Sequence, residues 1–490
     1  MRKNIKHFIN GEWVPSTGSK TLDVMNPASE EVMGQISAGT KEDLDKAVSA
    51  AKNVFPAFSL TTRGERIHLL NRIAEEYEKR KNDLIEVITE ELGAPLSLSE
   101  SLHYNIGLFH FRQASKDLEN FEFSERIGDT LVRKEPIGVS GLITPWNAPT
   151  IQATTKIACA FAAGSTVVLK PASIAPFSAI ILAEIMQSAG VPKGVFNLVN
   201  GSGEVVGNGI SSHPDVDFVS FTGSNPVGQT ILEKAAKTIK KVALELGGKS
   251  PLVILDDYDM KKAAKIAVSR VLNNSGQMCT SPSRTLISAN KHDEFIEAVK
   301  DVLPEFKISD PKAPNTFLGP VISENQYKQI QWFIEKGIEE GATLVAGGTG
   351  KPEGLERGYY VKPTVFTNVK NNMTIAKEEI FGPVMSILTY ENIDEAIEIA
   401  NDTVYGLAGY VVGEDSETLE KVASSIRAGR ILINEAMSDY AAPFGGYKQS
   451  GIGREWGKYG IEEYLEIKSI AGIPAKSKSH SDRLVITNNK

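Results

Sequence analysis

The chain of 490 residues is 41% hydrophobic and 23% charged, the balance of an ordinary globular protein with room for roughly two to four domains. A net charge of -8 and a pI near 5.6 offer no electrostatic attraction for nucleic acid or an anionic membrane, so neither is expected as a partner. Two cysteines cannot build a disulfide framework, which points to a cytoplasmic location. None of the seven histidines is closely spaced with another ligand type, so no metal site is expected.

The opening MRKNIKHFINGEWV has basic residues without an apolar run, so no secretory signal is read there. Asn10-Gly11 between apolar residues predicts a tight hairpin. From residue 41 the spacing becomes helical, through KEDLDKAVSAAKNVF and TTRGERIHLLNRIAEEYEKRKNDLIEVITEELG, with Thr62 and Glu65 placed as a capping box. From 136 strands and helices alternate. The predicted strands PIGVSGLITP, STVVLKPA, GVFNLVNG, DFVSFTGS and KVALELGG imply a parallel sheet flanked by helices. A second alternation begins after Pro251, with SPLVILDD, DMKKAAKIAVSRVLNN, SRTLISA and HDEFIEAVKDVL. The most apolar stretch, IACAFAAGSTVVL, is interrupted by Gly164, Ser165 and Thr166 and is too short to span a bilayer. The end, AKSKSHSDRLVITNNK, reads as a polar tail.

Four stretches carry candidate chemistry. NNSGQMCTSP places Cys279 among small polar residues, where nothing apolar in its neighbourhood would hide the thiol. ELGGKSP ends a predicted strand on Glu245, which would direct a carboxylate toward a ligand crevice or simply to the surface. ITPWNAP sets Trp146 and Asn147 between prolines after another strand; the amide would serve an oxyanion or cap the next helix. The stretch FTGSNPVG pairs Gly223 with a helix start, where free N–H groups attract phosphate, but it lacks the usual dinucleotide fingerprint. The second cysteine, Cys159, sits among alanines and reads as a small buried hydrophobe.

In order, ITPWN, LKPAS, FTGS, ELGGKSP, GQMC, EEIFGPV and PFGGYKQSGIGRE resemble the aldehyde dehydrogenase superfamily, from INGEW near residue 9 to YLEIKSIAG ending at 472. The resemblance implies an α/β fold of two Rossmann-like parallel-sheet domains plus a small β oligomerisation arm. It divides the chain into a dinucleotide-binding domain (1–115 and 137–248), a catalytic domain (249–440), an arm and strand (116–136 and 461–475) and the tail (476–490). The arm and strand would pair between subunits of a homodimer or homotetramer.

The activity implied is oxidation of a small-molecule aldehyde to a carboxylic acid with NAD or NADP. Cys279 would be the nucleophile, Asn147 and the Cys279 N–H the oxyanion donors, and Glu245 the base that activates water against the thioester. Cofactor contacts implied are Ile143, Thr144, Trp146, Lys170, Ala172, Ser173, Gly203, Gly223, Ser224, Leu246, Glu379 and Phe381. Substrate-lining positions are Ala148, Gln152, Thr155, Met278, Thr280, Tyr440 and Phe444.

Three positions depart from the family pattern. Ser173 stands where NAD-preferring relatives often carry a glutamate that repels a 2′-phosphate, so NADP is expected to be accepted at least comparably. Ala148 replaces a common aromatic residue. Thr155 occupies the place of a tryptophan in betaine-aldehyde enzymes and an arginine in succinic-semialdehyde enzymes, so neither a quaternary ammonium nor a carboxylate is favoured. A medium-sized or aromatic aldehyde is expected. Two competing readings are an acylating enzyme that passes the thioester to coenzyme A, which Glu245 argues against, and a non-catalytic protein that retains the fold.

Overall fold

The computed structural model describes residues 2–473, so most of the arm strand but none of the 476–490 tail falls within the described residues. An eight-stranded sheet forms the first layer. Its five parallel strands run Lys241–Glu245, Phe218–Thr222, Val139–Ile143, Thr166–Lys170 and Phe196–Leu198 in spatial order. Four of them, Phe218–Thr222, Val139–Ile143, Thr166–Lys170 and Phe196–Leu198, are buried along their whole length, which is why they read as continuous apolar runs rather than alternating ones. The hairpin Lys6–Ile9 and Glu12–Pro15 closes one edge antiparallel, turning at Asn10 (φ 53°) and Gly11 (φ 76°) as its Asn-Gly pair predicts. Gly451–Ile452 closes the other edge, so a segment near the end of the chain belongs to the first sheet.

The second sheet has seven strands. Pro251–Ile254 and Arg284–Ser288 lie at its centre, and Arg430–Ile433 forms one edge beside Ala408–Val412. Helices cover both sheets. The expected capping box forms at Arg63–Lys79, where the Thr62 hydroxyl accepts from the Glu65 N–H and the Glu65 carboxylate accepts from the Thr62 N–H. The long helical pattern that follows is two helices, broken at Arg80, with the second at Lys81–Leu92.

The segments expected to pair between subunits pair with each other within the chain. Leu465–Ala471 lies antiparallel to Thr130–Pro136 in unbroken register, and Ser124–Ile127 completes a three-stranded sheet. Seven consecutive residue pairs satisfy both strands locally. Among the described residues no strand pairs with the outer edge of Leu465–Ala471. No helix among the described residues is long and apolar enough to cross a membrane.

Candidate active site

The segment Asn273–Gly276 delivers Cys279 to its position through an unusual backbone. Asn274 (φ 53°), Ser275 (φ 56°) and Gly276 (φ 74°) are successively left-handed, a conformation that costs free energy at the two non-glycine residues. Side chains hold it. The Asn274 amide donates to the Asn147 backbone carbonyl at 2.9 Å, the Ser275 hydroxyl to the Gly319 carbonyl at 2.8 Å, and Gln277 receives the Ile322 N–H at 2.9 Å. A Cβ at Gly276 would meet the Gly382 carbonyl at 2.1 Å, so glycine is required by space as well as by φ.

Cys279 opens onto a cavity of about 570 Å³, a volume typical of small-molecule sites. Asn147, Ala148, Gln152, Met278, Thr280, Tyr440 and Phe444 line the same cavity. The Asn147 amide donates to the Gln277 carbonyl at 3.0 Å, which fixes its orientation beside the thiol loop. The thiol is half-buried rather than exposed, contrary to the polar character of its neighbours. Burial, with the Glu379 and Glu245 carboxylates nearby, pushes it up to about 12, so it is a neutral thiol at neutral pH.

Thr155 is not part of this cavity. Ala148, Ile151 and Gln152 present the helix Pro149–Ala163 to it, but the Trp456 indole lies between the cavity and Thr155. Thr155 is buried instead in small spaces beside Cys159, His110 and Asp117. The expectation that it shapes substrate choice is corrected accordingly.

Glu245 ends its strand as expected, yet its side chain is buried behind the cavity wall. A Cβ at Gly445 would approach its Oε1 to 2.8 Å, and its Oε2 has no hydrogen-bond partner. Burial raises its proton affinity well above the usual carboxylate range, and the Glu455 carboxylate raises it further against the opposing Lys156 and Arg454. Lys156 and Glu455 form a buried ion pair, with the Lys156 ammonium also donating to the Ser220 hydroxyl at 2.9 Å. These two residues escaped sequence reasoning. A lysine inside the apolar helix IQATTKIACAFAAG was the available signal, since a buried ammonium needs a partner.

The positions expected to contact a cofactor gather at the C-terminal ends of the first sheet. Ile143 and Lys170 end adjacent strands, and the Thr144 N–H donates to the Lys170 carbonyl at 3.1 Å. Lys170 is buried, donates to the Pro171 carbonyl at 2.7 Å, and is pushed down to about 8 by desolvation. Ala172 and Ser173 follow it, and the Ser173 hydroxyl is engaged with the Gly201 carbonyl at 2.7 Å. Gly203 is open to solvent. Gly223 and Ser224 precede the helix Asn225–Ala235, and Leu246 packs against Gly228 of that helix.

Glu379 accepts the Gly248 N–H at 3.1 Å, and its carboxylate fills the space a Cβ on Gly247 would need. Burial raises it to about 7. Trp146 and Phe381 meet edge to face at 5.3 Å. Open glycines, a helix N-terminus, a buried amino group and a ring pair suit the phosphate, ribose and planar parts of a dinucleotide. Among the described residues no group of three His, Cys, Asp or Glu side chains could hold a metal ion.

Residues 13–470 match the model of the Aldehyde dehydrogenase family. The chain belongs to that family. It is an NAD(P)-dependent aldehyde dehydrogenase. It is 60% identical to a Staphylococcus haemolyticus protein named by family as an aldehyde dehydrogenase, over 96% of this chain and 99% of that one. Among solved structures it is similar to a cysteine-to-alanine variant of Aldehyde Dehydrogenase C from Pseudomonas syringae, in complex with NAD+ and octanal. The TM-score there is 0.95 at 44% identity, covering 97% and 98% of the two chains. A Mycobacterium tuberculosis aldehyde dehydrogenase complexed with NAD+ matches with a TM-score of 0.94 at 39% identity, covering 97% and 99%.

Proposed function

We propose that this dehydrogenase oxidises a medium-sized or aromatic aldehyde to its carboxylic acid through a covalent intermediate on Cys279, released by water. The observation that carries the reading is a held thiol and an oriented amide on one cavity, with a buried carboxylate of raised proton affinity near enough to disfavour the thiolate. The thiol gives up its proton to solvent as its sulfur attacks the aldehyde carbon. The Asn147 amide and the Cys279 N–H hold the resulting oxyanion. The bound nicotinamide, NAD or NADP, supplies the hydride acceptor. Lys170, Gly203, Gly223, Ser224, Glu379 and Phe381 would hold the cofactor, with Trp146 beside it. Glu245 then draws a proton from the water that attacks the thioester. Its present buried position requires its side chain to turn toward the sulfur for this transfer.

The domain division expected from the sequence is part of this reading, extended by Gly451–Ile452 in the cofactor-binding sheet. So are a homo-oligomeric assembly and a cytoplasmic setting. In octanal the solved Pseudomonas relative holds a medium-sized aliphatic aldehyde, and the apolar lining here, with Ile151, Met278, Tyr440 and Phe444, suits similar chains. No carboxylate stands at Ser173 to repel a 2′-phosphate, which supports use of NADP as well as NAD.

Rapid mixing of Glu245→Gln with an aldehyde and either cofactor is expected to give one equivalent of reduced cofactor per site, then at least a hundredfold slower turnover. Cys279→Ala gives none. Unchanged steady-state turnover in Glu245→Gln would remove Glu245 from the mechanism. Turnover that requires coenzyme A would replace hydrolysis with acyl transfer.

A further inference from the structure

Two arginines face the substrate cavity from different parts of the second domain. Arg430 opens the edge strand Arg430–Ile433, and Arg270 lies on the helix Met260–Leu272. Arg430 stacks over the rings of Phe444 and Trp456, at 5.2 Å and 5.7 Å, and its Nη1 donates to the Ser438 hydroxyl at 2.8 Å. Its Nε is buried without an acceptor. Arg270 lies over the Tyr410 ring at 4.7 Å, and its Nη2 donates to the Asn434 carbonyl at 2.7 Å. Its Nη1 is likewise buried without an acceptor.

Among the described residues neither guanidinium has an ion pair; burial disfavours the charge on Arg270, and Arg430 is near enough to disfavour it further. Glu435 is the single carboxylate in the cavity lining, and it is exposed. Glu435 favours the charge on Arg270 without pairing with it, so a cavity that is apolar around its thiol carries two guanidinium groups that lack an ion pair and keep unused donors. Leaving such donors unmet is unfavourable, and a planar carboxylate meets two N–H groups at once.

We propose that Arg430 and Arg270 bind the carboxylate of an aldehyde that carries one at the end remote from its carbonyl. The ion partner absent at Thr155 is thus supplied from other elements. This rests on the aldehyde-oxidising reading and narrows its substrate class. Stacking on the rings alone would explain where the guanidinium planes sit, but not why Nε of one and Nη1 of the other lack acceptors.

The test compares 5-oxopentanoate with 5-oxopentanamide, and 4-formylbenzoate with 4-formylbenzamide, matched in size and differing in charge. The wild-type kcat/KM is expected to favour the carboxylate of at least one pair by about tenfold or more, mainly through KM, with the preference shrinking as salt is raised. In Arg430→Gln and in Arg270→Gln that ratio falls toward one. Any effect on the chemistry common to both members cancels in the ratio. Equal wild-type kcat/KM within both pairs, or a ratio unchanged in both variants, overturns the proposal while leaving aldehyde oxidation intact. Should a variant fail to fold, the wild-type ratio and its salt dependence decide alone. Silence toward all four aldehydes would count instead against the parent reading.

Discussion

At the residue scale the thiol of Cys279 behaves unlike an exposed cysteine. Its neighbours in sequence are polar and small, but the loop of three left-handed residues turns it inward, toward two carboxylates. The sign of the effect is clear: burial and negative charge both favour the neutral thiol, so the thiolate fraction is small at neutral pH and grows until about pH 12. Alkylation of the cofactor-free protein by iodoacetamide is therefore expected to accelerate about tenfold per pH unit from 7 to 10, measured by mass spectrometry at Cys279. A plateau below pH 9 would show that the thiol is activated before any ligand binds. Cys159, buried and also raised by desolvation, should stay unmodified throughout.

The helix Pro149–Ala163 shows how one element serves several roles. Every residue of it is buried, and its sequence is apolar enough to be read as core from end to end. Proline at its first turn and Gly164 in a left-handed cap (φ 93°) mark both ends legibly. Its inward faces were not legible. Ala148 and Gln152 reach the substrate cavity, while Thr155, one turn on, is cut off by a tryptophan three hundred residues away in the chain. Lys156 meets Glu455 from that same distant segment. Removing the ammonium strands a buried carboxylate, so Lys156→Met is expected to cost about 3–5 kcal/mol, read as a fall of several degrees in Tm. Adding Glu455→Leu should recover most of that loss, and failure to recover it would mean that the pair is not the source.

At the scale of the whole molecule, the outer edge of Leu465–Ala471 has no partner strand among the described residues. Ile467 on that strand is 72% exposed, and an unpaired strand edge bearing an apolar side chain invites another strand. Ile467→Lys is expected to shift a homodimer or homotetramer toward monomer, as measured by sedimentation velocity. An unchanged sedimentation coefficient would locate the interface elsewhere. The family, both parallel sheets and the identity of the candidate nucleophile, amide and carboxylate were legible in the sequence. Continuous apolar runs, glycines at forced turns and a fixed order of short motifs are local properties, and local physics writes them directly into the chain. The depth of Cys279, the screening of Thr155, the Lys156–Glu455 pair and the meeting of Arg270 with Arg430 were decided only by the tertiary structure. Each depends on segments remote in the chain approaching within a few ångströms, and burial and charge acquire their magnitude only at that distance.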